Sequence, residues 1–217
     1  MGRIYDATWG RFFSAIYDRG LQASEDAGLR RMREELLAEA RGRVVELGAG
    51  TGANTDLYPD AVEELILAEP DPHMTKRLRE RLAGSAREAT IVEAPAESLP
   101  VEAGSCDTAV VTMVLCTVPD PRAALVEMAR VLRPGGKLLF LEHVRSEEPG
   151  LARWQDRFEV PWRYFADGCR CNRDTLTAIS AAGFELGAFQ RDELPKAAPI
   201  VKPLVRGSAS RRAEPGA

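Results

Sequence analysis

The chain has 217 residues, 45% of them apolar, and a formal net charge of −4 at pH 7. That is enough apolar material for one sizeable core, and the acidic balance argues against nucleic acid as a partner. Cys106, Cys116, Cys169 and Cys171 lack the paired spacing of a zinc site, so no metal is expected; they read as reduced thiols of a cytoplasmic protein, packed as small apolar groups. No apolar run is long enough to span a bilayer.

In chain order, Ile4, Tyr5, Trp9, Phe12, Phe13, Ile16, Tyr17 and Leu21 recur at helical steps, and Gly20 and Gly28 divide the segment into two helices. Its aromatic face either covers a sheet edge or borders a binding pocket. The polar face mixes acids with arginines, which leaves at most peripheral contact with a membrane surface.

The stretch Val44 to Asn54, VVELGAGTGAN, is a short apolar strand running through Gly48, Gly50 and Gly52 into a helical start. Glycines there let the backbone turn sharply and lie against a nucleotide-type ligand. Two cofactors compete for this loop. Gly48, Gly50 and Ala53 satisfy the dinucleotide fingerprint, with Glu69 about 20 residues on, where a ribose-binding acid belongs. The tighter G-x-G-x-G spacing and the acid Glu46 before it suit S-adenosylmethionine instead, which carries an ammonium and a sulfonium but no pyrophosphate.

Leu65 to Ala68 forms a second strand ending at Glu69, and Asp71 with Pro72 caps a helix running to about Ala83. Thr90 to Glu93 is a third strand. Cys106 to Thr112 is nearly continuously apolar, as expected of a central parallel strand covered on both faces. Asp120 and Pro121 repeat the cap, and Lys137 to His143 is the fifth strand. Of Glu142 and His143 only one can face a pocket. His143 there would orient an acceptor or remove its proton, or else make a structural hydrogen bond. Trp154, Phe158, Trp162 and Phe165 form one helical stripe, either core or the wall of a site for an apolar or cationic acceptor. Asp167 is a second polar candidate. A helix from Arg173 to Ala182 precedes an antiparallel hairpin of Phe184 to Gln190 with Ile200 to Val205, and residues 207–217 read as a disordered tail.

Taken together, ELGAGTG from Glu46, the acid Glu69, APAESLP from Ala94, VVTMVLCTVPD from Val110 and VLRPGG from Val131 resemble, in order, the class I S-adenosylmethionine-dependent methyltransferases of the type 11 or UbiE-like kind. From LEHV onward, Trp154-Gln155, Pro161-Trp162, Phe165, Asp167-Gly168-Cys169 and Arg173 are similar to the alkyl-thiol S-methyltransferase branch. The resemblance implies a three-layer, Rossmann-like α/β fold. Its seven-stranded sheet would be mostly parallel with an antiparallel last strand, under an N-terminal helical lid over residues 1–40, with the cofactor domain spanning 41–206.

It also implies roles for residues. Glu46 would meet the cofactor ammonium, and Gly48, Ala49, Gly50, Thr51 and Gly52 would run along its methionine part. Glu69, with Pro70 and Met74 nearby, would hold the ribose, Ala96 and Glu97 would border adenine, and Met113 and Val114 would stand beside the methyl donor. His143 and Asp167 are the catalytic candidates. The implied reaction moves a methyl group to a small lipophilic acceptor, with a thiol favoured. The alternatives are oxygen, nitrogen or carbon methylation of a quinone precursor or lipid, and a non-catalytic cofactor-binding module. The branch's N-terminal membrane anchor has no counterpart at Tyr5 to Tyr17, and monomer and homodimer are both open.

Overall fold

Strand parity sorts the apolar residues onto two faces of one sheet. Val45 and Leu47 of β1 (Gly42–Leu47) pack on one face with Ala109 and Val111 of β4 (Cys106–Thr112) and with Leu138 and Phe140 of β5 (Leu132–His143). Val44, Val110, Leu139 and Leu141 face the other way, beside Leu65 and Leu67 of β2 (Val62–Ala68). Both faces therefore need cover, and helices supply it. Helix α1 (Arg30–Leu37) and α2 (Pro72–Ala83) bury Leu36, Leu37 and Leu78 on the second face. Helix α3 (Pro121–Val131) and α5 (Thr175–Ala181) bury Leu125, Met128 and Ile179 on the first, and α4 (Pro149–Phe165) lies between them in the chain. Each fully buried side chain of this size contributes roughly 1.5–3 kcal/mol. The structure, a computed structural model, describes residues 19–166 and 168–212.

With β3 (Thr90–Val92), β6 (Phe184–Glu193) and β7 (Pro203–Arg211), the sheet order is β3-β2-β1-β4-β5-β7-β6. Strands β3 through β5 are parallel, and β7 runs antiparallel to both β5 and β6. The three-layer Rossmann-like arrangement with an antiparallel last strand is the one expected. The caps hold as well: Asp71 accepts from the amides of His73 and Met74, and Asp120 from those of Arg122 and Ala123.

One expectation needs correction. Residues 207–211 are not tail, because β7 continues through Arg211, paired with β5 on one side and β6 on the other. Gly207 shows why its composition misled: a β-carbon there would meet Ala188 O at 2.5 Å, so the glycine marks a close approach of the paired strand β6, at the register shift between Leu186 and Phe189, rather than a flexible link. The break at Gly28 is as expected: its φ of 135° is non-helical, so the helix that includes residues 19–24 and the helix that continues as α1 meet there at a kink, while Gly20 lies within the first. The apolar and aromatic residues from Ile4 to Tyr17, and Asp167, lie outside the described residues.

Candidate active site

Loops leaving the carboxyl ends of β1, β2, β4 and β5 converge on one cavity of about 720 Å³, at the point where the sheet order reverses. Gly48, Gly50, Glu69, Pro70, Met74, Ala96, Glu97, Met113, Val114 and His143 all line it. Residues separated by almost a hundred positions in the chain are thus brought together.

The loop glycines serve different ends. At Gly48 (φ +63°) a β-carbon would lie 2.6 Å from Val114 Cγ2, and at Gly52 (φ +86°) one would lie 2.7 Å from Leu78 Cδ1. These two let neighbouring elements pack close. Gly50 (φ +56°) has nothing nearer than 4.0 Å, so a β-carbon there would project into open cavity. Ala49 and Thr51 are buried and do not line the cavity.

Glu69 stands at the cavity wall, with Oε2 accepting from the Gly50 amide at 2.9 Å and Oε1 from the Asp71 amide at 2.9 Å. It thereby joins the glycine loop to the start of α2. Ala96 and Glu97 sit on a loop that α3 secures: Glu127 accepts from the Leu99 amide at 2.6 Å, and Arg130 Nη2 donates to the carbonyls of Leu99 and Val101.

Glu46 does not line the cavity. Being on the same strand face as Val44, it is directed beneath the loop toward α1, where Oε1 accepts from Asn54 Nδ2 at 2.8 Å and Oε2 from the Tyr58 hydroxyl at 2.7 Å. Burial pushes its carboxyl up to about 7, against the pull of those two hydrogen bonds and of Arg33.

At the end of β5 parity gives His143, not Glu142, to the cavity. His143 Nδ1 is buried with no hydrogen-bond partner, and burial pushes the ring down to about 4. The imidazole is therefore neutral at pH 7. Glu142 is fully buried and braces the turn after β4. Its carboxylate accepts from the amides of Val114 (2.8 Å), Leu115 (3.0 Å) and Cys116 (3.3 Å), and burial pushes it up to about 7. From the other side Arg173 donates to the carbonyls of Leu115 and Val118. Met113, at the head of this turn, takes the left-handed φ of 60°, a strained value for a side-chain-bearing residue and one that clusters at functional sites.

The far end of the cavity is apolar. Trp162 and Phe165 line it, as do Leu21 and Val201, while Trp154 and Phe158 of the same stripe stack on each other at 5.0 Å and face outward. The stripe is therefore neither wholly core nor wholly cage. Cys116 and Cys169 also line this end, and their mutual hydrogen bond pushes the Cys116 thiol up and the Cys169 thiol down. Gln155, fully buried on α4, fixes the wall: Nε2 lies 3.1, 2.9 and 2.9 Å from the carbonyls of Val144, Cys171 and Ile200, and Oε1 accepts from the Ser146 amide.

Comparison with known proteins agrees with this arrangement. A methyltransferase domain family matches residues 45–140. The thiol S-methyltransferase TMT1B of Homo sapiens is 39% identical over 179 residues, covering 80% of this chain and 73% of the relative. The chain belongs to the class I S-adenosylmethionine-dependent methyltransferases. The ubiquinone/menaquinone biosynthesis C-methyltransferase UbiE of Syntrophotalea carbinolica is 32% identical over 74% of the chain and 71% of its own length. Among solved structures, a possible histamine N-methyltransferase from Thermotoga maritima shares the fold, with a TM-score of 0.70 at 24% identity over 93% of this chain and 97% of that one. In this methyltransferase no described helix is long and apolar enough to cross a membrane.

Sequence reasoning missed Asn54, Tyr58, Glu127, Arg130 and the role of Arg33. A signal existed for two of them. Arg33 stands four residues from Leu29 and Leu37 on the buried face of α1, and Glu127 stands between Leu125 and Met128 on that of α3; a charge inside an apolar stripe marks a paired, buried group.

Proposed function

We propose that the chain moves the methyl group of S-adenosylmethionine to a small lipophilic thiol. The observation that carries this reading is a single cavity with a cofactor-like polar end, Gly50 and Glu69, continuous with an apolar end, Trp162 and Phe165. The open ground in front of Gly50 fits a ligand backbone, and the Glu69 carboxylate fits ribose hydroxyls. Ala96 and Glu97 would border adenine, with Met113 and Val114 beside the methyl group. Glu46 holds the loop from beneath through Asn54 and Tyr58 rather than meeting the ammonium.

The cofactor supplies a methyl group on a cationic sulfur, open to in-line displacement with a neutral leaving group, so positioning and exclusion of water do most of the work. His143 would stand on the cavity wall as a neutral group beside the acceptor; a ring pushed down to about 4 is a weak base at pH 7. No strong base is needed, because a thiol with a pKa of about 8.5 is partly ionised near neutrality. The thiol S-methyltransferase relative supports this acceptor, and the UbiE relative favours carbon methylation of a quinone precursor as the second reading.

The test is calorimetry with S-adenosylmethionine, S-adenosylhomocysteine and NADH, then a transfer screen in which alkyl thiols compete with phenols and quinols. Turnover on thiols is expected, with kcat/KM rising smoothly toward the thiol pKa and no inflection near pH 6.5. Transfer only to carbon or oxygen would discard the thiol assignment, and binding of NADH alone would discard the cofactor.

A further inference from the structure

Beneath the cavity floor lies a buried cation that the proposed chemistry does not use. Arg33 is 3% exposed, yet its guanidinium reaches four parts of the molecule. Nε donates to Glu25 Oε1 at 3.1 Å, and Nη1 donates to Asn54 Oδ1 at 3.1 Å and to Thr112 Oγ1 at 2.9 Å. Nη2 stands 3.9 Å from Met113 Sδ.

These partners belong to different walls of the cleft. Asn54 closes the glycine loop, and its amide group also donates to Glu46 and Thr112. Thr112 ends β4, immediately before the strained, cavity-lining Met113. Glu25 follows helical residues 19–24, of which Gly20, Leu21 and Ser24 line the cavity rim, and precedes the kink at Gly28. The bend at Gly28 is what turns Glu25 back toward Arg33 across eight positions. For stability alone an apolar side chain would serve this core position as well or better, since a buried ion pair seldom recovers its desolvation cost.

We infer that Arg33 is a positioning residue that ties the rim segment 19–24 to both walls of the cofactor cleft, Asn54 on the glycine loop and Thr112–Met113 at the end of β4. Affinity for the cofactor then depends on a side chain that does not line the cavity. The inference rests on reading this cavity as the S-adenosylmethionine site.

The test uses the full chain, with calorimetric Kd for S-adenosylmethionine and S-adenosylhomocysteine, cofactor KM, and ligand-free melting measured side by side. Arg33→Met is expected to weaken cofactor binding by about tenfold or more, the scale of losing charged hydrogen bonds, and Arg33→Lys to recover part of it. Glu25→Gln, which weakens only the tie to the rim, is expected to show a smaller loss that does not add to that of Arg33→Met in the double variant. A lowered melting temperature with wild-type Kd and KM would mean that Arg33 only stabilises the fold, and would overturn the inference. Should Arg33→Met fail to fold, wild-type Kd in both Arg33→Lys and Glu25→Gln overturns it equally. A wild-type chain that binds neither sulfur cofactor overturns the site reading, and this inference with it; variants that bind as tightly as wild type overturn the inference alone.

Discussion

The two ends of the cavity are built on different principles. The end at Gly48, Gly50 and Glu69 is made from backbone: left-handed glycines, amides received by one carboxylate, and a helix cap, most of it within two short stretches of chain. The end at Trp162 and Phe165 is made from side chains contributed by segments far apart, around residues 21, 116–118, 162–166, 169 and 194–201. Backbone requirements leave local residue patterns, whereas an assembled wall leaves only a partial one, here the Trp162 and Phe165 end of the aromatic stripe. The first end should accordingly break through strain and filled space, the second through loss of the ties that align its segments.

The largest effect expected on the first end comes from Gly50→Val. The side chain would enter open cavity without meeting a protein atom, so cofactor affinity should fall on the order of a hundredfold, as in an overpacked site, and thermal stability only by the left-handed strain of about 1–2 kcal/mol. Gly48→Val carries the same strain plus collision with Val114, so its loss should be dominated by unfolding. Calorimetry and melting curves on both variants separate the two; equal damage to stability in each would mean that Gly50 is a packing glycine like its neighbour.

For the second end, Arg173→Met is the sharper probe. It leaves the carbonyls of Leu115 and Val118 without their charged donor, and an unpaired buried group costs about 1–3 kcal/mol. That turn forms the acceptor wall, so acceptor KM should rise roughly tenfold while cofactor affinity changes little. A parallel loss of cofactor affinity would show that the two ends are not separable.

The same contrast explains what could be read from the sequence. Asp71-Pro72 and Asp120-Pro121 fixed two helix starts because a cap is a property of adjacent residues, and the nearly unbroken apolar run Cys106–Thr112 announced a strand covered on both faces. Glu69 could be found because its position at a strand end is local. Glu46 was harder: its place beneath the loop depends on Asn54 and Tyr58, which strand parity and tertiary packing bring to it. The break at Gly28 was legible because a glycine inside a helical pattern is local, whereas the strand through Gly207 was not, since glycine marks flexibility and close approach with the same letter. Gln155 stood within a family motif without a role, because the three carbonyls it joins come from segments up to 45 positions away.

The smallest expected effect is in the dependence of stability on pH, where both ends contribute and partly cancel. Glu46 at the first end and Glu142 at the second are raised from 4.5 to about 7, so the folded chain holds their protons where the unfolded chain has released them. Their contribution is complete below pH 4.5 and lost as the pH rises to about 7. His143 is lowered from 6.5 to about 4, so its contribution is complete above pH 6.5 and lost as the pH falls through 4. Glu35 and Glu127 are lowered from 4.5 and add stability that disappears only below that value, outside the window. Between pH 5 and 6.5 two raised carboxyls therefore oppose one lowered imidazole, and stability should decline with rising pH by about one proton's worth, at most about 1.4 kcal/mol per unit. Glu142→Gln removes one carboxyl and should bring that slope near zero, whatever it does to stability at a single pH. Urea midpoints at pH 5, 5.75 and 6.5, each value about evenly spaced across the window set by these shifts, measure the difference. An unchanged slope in the variant would mean that Glu142 is ionised throughout, held so by the three amides and Arg173, and that the acceptor wall rests on a carboxylate rather than on a protonated carboxyl.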